Sequence, residues 1–254
     1  MITHRFEVGD AQLDSGLGRT SPIVKLGIAL LWLIGLAVTL HPVPPLVLAI
    51  AALVAGLILG GIAPSDLGRT LTPLWVAALA IGVSNALFSA ANGDPTTATF
   101  LQVGPIRIAD EAVANGLAIA MRVAAIACVG AVFALTTDST RLTDSLVQQG
   151  RLPARFAYGA LAAYQSIPRF AEDLQSLREA RRIRGLRAGW HPRLFVGLLV
   201  LAIRHADRMA VSMDARAFGS GPRTHYRSLR WSWLDIVVAV AAVAILAIAL
   251  LLGR

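Results

Sequence analysis

Five stretches of this chain are apolar for 16 to 24 residues at a time, and no other feature limits its possible folds so strongly. A helix needs about 20 mostly apolar residues to cross about 30 Å of hydrocarbon. The runs are Lys25–Leu40, Val43–Ala63, Leu71–Ala91, Ala112–Leu135 and Leu234–Leu252. Between the first two, His41-Pro42-Val43-Pro44-Pro45 forms a break that a helix cannot continue through. Composition agrees: 56% of the residues are hydrophobic and 15% are charged, against about 25% charged in an ordinary soluble domain. The expected fold is an all-α membrane protein with about five transmembrane helices. The first twenty residues are polar and do not read as a cleavable signal peptide.

Charge then divides the chain. Residues 137–230 hold 16 of the 23 Lys and Arg but 7 of the 15 acidic residues, a net charge of +9, which leaves −1 for everything else. By the positive-inside rule this segment faces the cytoplasm. The loop from Asn92 to Glu111 has one arginine, Arg107, beside Asp94, Asp110 and Glu111, and reads as external. The expected layout is a cytoplasmic N-terminal segment at 1–24, helices one to four at 25–136, a cytoplasmic helical block at 137–230 and a last span at 231–254. With five spans the N-terminus lies inside.

The basic block is too charged for lipid and too apolar for a loose tail. Pro153 and Pro168 punctuate it, and Phe170, Leu174 and Leu177 fall on one face of a helix expected from about Phe170 to Leu186. That helix ends in Glu179-Ala180-Arg181-Arg182-Ile183-Arg184-Gly185, and Gly189-Trp190-His191-Pro192 reads as a turn. In the next helix Ala206, Met209, Ala210, Met213 and Ala217 make a smooth face of small and pliable residues, stopped at Gly219. Two helices thus finish in a small or apolar residue followed by arginine, at Arg184 and, 32 residues on, at Arg216 within Ala215-Arg216-Ala217. Arginine is a fixed charge with a forked donor set that fits carboxylates, so the pair reads as a docking device. The competing readings are a positive flank on anionic lipid and nucleic-acid binding; no aromatic interleaving or zinc spacing supports the latter.

These residues resemble a known family. Ser21-Pro22-Ile23-Val24-Lys25-Leu26, Thr136-Thr137-Asp138, Leu152-Pro153, Tyr164-Gln165-Ser166-Ile167-Pro168, Arg223-Thr224 and Asp235 are similar, in order, to the transmembrane T component of energy-coupling factor (ECF) transporters. Glu179 to Gly185 resembles the first Ala-Arg-Gly coupling motif of that family, and Met213 to Gly219 the second. Ile183 stands where the family usually has alanine, and Ala217 where it usually has glycine.

The resemblance implies a non-catalytic coupling subunit of a bacterial or archaeal plasma membrane. Two ABC-type ATPases would dock on Arg184, Gly185, Ala215 and Arg216, supported by Arg181, Arg182 and Gly219. ATP would be bound by those partners and no cofactor by this chain. A membrane-embedded S component would carry a vitamin, a vitamin precursor or a transition-metal ion.

The alternative is a membrane-embedded lipid or isoprenoid transferase. Such an enzyme uses paired acids for magnesium and phosphate, and Asp138 and Asp144 form no DxxD pattern. A secondary transporter would show inverted repeats, which the sequence does not. Arg122, inside the fourth run, is read as snorkelling or pairing with a carbonyl in the bundle. Gly56-xxx-Gly60 is read as packing spans of this protein together. Cys128 is read as a small buried hydrophobe, and Asp235 as a helix-start acid. Met209 and Met213 are core or a pliable surface. The five histidines have no ligand spacing, so no metal site is expected.

Overall fold

The computed structural model describes residues 15–39, 41–93, 98–103, 106–186, 191–221, 228–229 and 231–253. The turn expected at 189–190 and the family match at Arg223-Thr224 lie outside the described residues. The described residues divide into two compact units, 15–142 with 231–253, and 143–221 with 228–229.

In the membrane unit, a single turn α1 (Gly16–Arg19) precedes α2 (Pro22–Val38), which starts with proline at N1, the position where its missing N–H costs nothing. Helix α3 (Val43–Val54) runs on as a π turn, Ala55–Leu59, and stops at Gly60-Gly61, where Gly61 takes φ +59°. Then come α4 (Pro64–Leu87), α5 (Asp110–Thr136) and α10 (Trp233–Leu252). By length and composition α4, α5 and α10 can cross a membrane, while α2 and the α3–π segment are shorter apolar helices. The protein is a multi-pass, all-α membrane protein. Helix α4 begins seven residues before the expected third span, because Pro64 provides a helix start and the apolar run alone does not mark one.

Helices α4 and α5 form the largest interface, and glycine is the reason. A Cβ on Gly82 would stand 2.6 Å from the Ala120 Cβ and 2.8 Å from the Gly116 carbonyl; one on Gly116 would stand 2.6 Å from the Gly82 carbonyl. The backbones therefore touch through Gly82-xxx-Ala86 and Gly116-xxx-Ala120, the small-xxx-small pattern of membrane helices. Gly56, in the π turn after α3, admits a side chain of α5 instead: its Cβ would meet Val132 at 2.8 Å, and one on Gly60 would meet Thr136 at 3.0 Å, so the Gly56-xxx-Gly60 pattern packs spans within this protein. Trp32, Leu36, Leu48, Cys128, Val129 and Leu246 lie in the core between α2, α3, α5 and α10.

Between α4 and α5 the chain makes a two-stranded antiparallel hairpin, β1 (Thr99–Val103) and β2 (Ile106–Ala109), with Thr99 opposite Ala109 and Val103 opposite Ile106. The sequence reading expected only a loop there. Alternating apolar and β-branched residues on either side of Gly104-Pro105 favour the strands. Arg107 Nε donates to Thr99 Oγ1 at 2.8 Å across the pair.

The second unit is helical: most of α6 (Ser139–Gln148), then α7 (Ala154–Gln165), α8 (Ile167–Ile183) and α9 (Pro192–Ala215). Helices α8 and α9 pack as an antiparallel hairpin. Gly197 admits Leu177, whose nearest side-chain atom would lie 3.3 Å from an added Cβ. Phe170 meets His205 edge-on at 6.3 Å.

Candidate functional site

Both coupling arginines sit at the same structural position, the C-cap of a helix. Helix α8 ends at Ile183 with Arg184 as its cap. Gly185 N–H donates to the Arg182 carbonyl at 3.0 Å and Leu186 N–H to the Arg181 carbonyl at 3.1 Å. Helix α9 ends at Ala215 with Arg216 as its cap. Ala217 N–H donates to the Asp214 carbonyl at 2.9 Å and Phe218 N–H to the Met213 carbonyl at 3.0 Å. Each end carries the paired bonds of a Schellman motif, which returns two orphan carbonyls to the backbone. Such a motif needs a left-handed residue after the cap. Gly185 supplies it at φ +73° and Ala217 at φ +54°, where a Cβ costs roughly 1–2 kcal/mol.

The sequence pattern therefore has a conformational meaning. The residue after each arginine turns the chain sharply and leaves the arginine at the negative end of a helix dipole, which favours a cation. Arg184, Arg216 and Arg182 are all exposed, and Ile183 beside Arg184 is 86% exposed. Arg181 is half-buried, with an Nε that has no hydrogen-bond partner among the described residues. Helix α9 ends four residues before Gly219, where the sequence reading stopped it, because the cap forms at Arg216 and Ala217 lies beyond the helix. Met209 and Met213 are half-buried, while Ala206 and Ala210 on the expected smooth face are exposed.

Gly219 has a separate duty. At φ +80° its carbonyl accepts from Arg155 Nη2 at 2.9 Å, and a Cβ there would stand 2.3 Å from the Arg155 Nε. Arg155 opens α7, so this contact ties the segment after the second cap to α7. Because α8 and α9 are antiparallel, the two caps fall at opposite ends of α9, whose 24 residues span about 36 Å at 1.5 Å per residue.

Two polar contacts stiffen the unit that carries the caps. Ser166 Oγ lies 3.4 Å from His205 Nε2, between the start of α8 and the middle of α9. Tyr158 donates to Asp144 Oδ1 at 2.8 Å, joining α7 to α6. Burial, then that hydrogen bond and the carboxylate's charge, push the Tyr158 hydroxyl up to about 12. Asp144 is thus committed to Tyr158, and Asp138 to the Arg141 backbone N–H at 3.0 Å.

The membrane unit uses its charges inwardly. Arg122 Nη2 donates to the Thr39 carbonyl just past the end of α2, the carbonyl pairing expected of it, and its Nε has no partner among the described residues. Lys25, 7% exposed, donates to the Thr136 carbonyl at 2.7 Å, at the end of α5. Arg141 donates to the Gly18 carbonyl at 2.8 Å. Asp235 is 2% exposed; it takes the Ser21 N–H at 2.7 Å and, in a capping box, the Ser232 N–H at 2.8 Å. It therefore fastens the last span to the first, well beyond a dipole interaction. The spacing Ser232-x-x-Asp235 was the available signal; for Lys25 and Arg155 the sequence held none.

Apolar helices packed through glycines, joined in one chain to a helical unit with two arginine caps, define a multi-pass helical membrane protein with no histidine, cysteine or carboxylate cluster suited to a metal among the described residues. The family model described as cobalt transport protein, CbiQ, matches residues 19–226, and the chain belongs to that family. Among similar proteins, the energy-coupling factor transporter transmembrane protein EcfT of Heliobacterium modesticaldum is 29% identical over 90% of each chain. The protein of the same description from Lactococcus lactis subsp. cremoris is 26% identical over 91% of each. A putative ABC transporter ATP-binding protein of Bifidobacterium longum is 27% identical over 80% of this chain, which spans only 27% of that larger protein.

Proposed function

We propose that this chain is the transmembrane coupling subunit of an energy-coupling factor transporter. It passes ATP-driven motion of two cytoplasmic ABC-type ATPases to a membrane-embedded S component that takes up a vitamin, a vitamin precursor or a transition-metal ion. The observation that carries the reading is the repeated cap: two helices end in arginine followed by a left-handed residue, and both arginines are exposed. Each arginine enters a groove of one ATPase and pairs with acidic groups there. Arg181, Arg182 and Gly219 hold the surroundings of the caps in shape. The relatives named as ECF transmembrane proteins support the assignment. So does the Bifidobacterium protein, in which a segment like this chain occurs within a chain described as ATP-binding. In this reading residues 137–230 and the N-terminus are cytoplasmic, and the chain binds no nucleotide.

Truncating one member of a desolvated charge pair costs roughly 2–5 kcal/mol. In cells co-expressing tagged ATPases and an S component, Arg184→Glu and Arg216→Glu should each abolish uptake and reduce co-purification of the ATPases, with the chain still present in the membrane. Normal uptake and normal co-purification in both variants would overturn the proposal.

A further inference from the structure

The two caps are not held alike. Each has a left-handed residue after its arginine, but the first has Gly185 and the second Ala217. Glycine takes that conformation freely, whereas the Cβ of Ala217 crowds the following carbonyl. A strained residue of this kind persists only where its surroundings fix it. At the second cap the fixing contacts are visible. Ser220 donates twice to the Ala217 carbonyl, from its N–H at 3.3 Å and from its Oγ at 2.8 Å. Gly219, inside that loop, is left-handed again, and Arg155 Nη2 donates to its carbonyl at 2.9 Å. The arginine stem lies against the Gly219 Cα, where an added Cβ would stand 3.0 Å from Arg155 Cγ and 3.1 Å from its Cδ. At the first cap no side chain among the described residues hydrogen-bonds to the backbone of Arg184, Gly185 or Leu186.

Arg155 has no local reason for its place. It is the second residue of α7, at the positive end of the helix dipole, where a cation is unfavourable. Its side chain is exposed and reaches a residue 64 positions away.

We propose that Arg155 is a positioning residue for the second docking arginine. It clips Gly219, holds Ala217 in its left-handed shape and so fixes the direction in which Arg216 leaves α9. The first cap does without a clip because Gly185 is unstrained. The inference rests on the coupling role given above, in which Arg216 docks on an ATPase, and Arg155 acts through the cap.

Hydrogen–deuterium exchange resolved to single amides, on the full chain in detergent, tests the clip without any partner. Arg155→Ala should lower the protection of the Phe218 and Ser220 N–H groups about fivefold, the effect of one exposed hydrogen bond. The Gly185 and Leu186 N–H groups should keep theirs. Arg155→Lys, which leaves one donor for the Gly219 carbonyl, should lose less. Arg155→Ala combined with Ala217→Gly should return to about the protection of the unaltered chain, since glycine bears no left-handed penalty. A residue that merely stiffened α7 would not be mended by glycine at 217. In cells co-expressing the ATPases and an S component, Arg155→Ala should lower uptake about twofold, because fewer chains hold the docking shape, and Ala217→Gly should restore it. Unchanged protection at Phe218, an equal loss at both caps, or no recovery with Ala217→Gly overturns the proposal. Normal uptake in Arg155→Ala where Arg216→Glu abolishes it does so too. Normal uptake and co-purification in both Arg184→Glu and Arg216→Glu would instead overturn the coupling role, and the inference with it.

Discussion

The two units put the same side chains to opposite uses. In the membrane unit Lys25, Arg122 and Arg141 each donate to a backbone carbonyl at or near a helix end: Thr136 at the end of α5, Thr39 past α2 and Gly18 in α1. In the helical unit two carbonyls at the end of each of α8 and α9 are answered by backbone N–H groups of the Schellman turns. Where lipid surrounds a helix, its last carbonyls have no water to turn to, and a cation from a neighbouring element satisfies them. Where water is available, the turn closes the helix and the arginine is presented outward. Cations that meet helix-end carbonyls are therefore structural in the membrane unit, while the two arginines that cap α8 and α9 are, in the proposed function, docking groups.

The comparison breaks most visibly in the bundle. Gly116→Leu drives a side chain into the Gly82 carbonyl and Ala86. It should cost about 3 kcal/mol, the upper range of overpacking, read as loss of the folded fraction in a denaturing-detergent titration; an unchanged midpoint would mean that α4 and α5 do not meet through their glycines. Asp235→Ala leaves the Ser21 and Ser232 N–H groups without their acceptor and should cost about 2 kcal/mol in the same titration. The smallest effect separates the two caps. Gly185→Ala should destabilise by about 1 kcal/mol and Ala217→Gly should stabilise by about as much, since both positions are left-handed. Shifts of the same sign in thermal melts would show that the two ends are not built alike.

Much of this was legible in the sequence, for identifiable reasons. The spans were readable because hydrocarbon demands long apolar runs, though their ends moved where Pro22 and Pro64 start helices before the apolar stretch begins. The helix end at Arg184 was readable because a glycine follows it, whereas the helix carrying Arg216 was read on to Gly219 because an alanine follows. That Ala217 adopts the same left-handed shape as Gly185 was hidden, since an alanine does not advertise positive φ. Gly82-xxx-Ala86 and Gly116-xxx-Ala120 were as visible as Gly56-xxx-Gly60, but nothing local says which two patterns face each other. The contacts of Lys25, separated from Thr136 by 111 residues, and of Ser21 with Asp235, 214 apart, belong to tertiary packing. Local pattern does not reach them.

Proximity chemistry at the two caps tests the central claim most directly. In a Cys128→Ala background, Ile183→Cys and Ser220→Cys place single thiols beside Arg184 and just beyond Arg216, outside both caps' hydrogen bonds to the helix. A short thiol-to-amine crosslinker applied to membranes containing the assembled transporter should join each variant to an ATPase chain, and ATP binding should change the yield at both. Adducts from neither thiol, or from only one of them, would contradict a subunit held at two points by two ATPases.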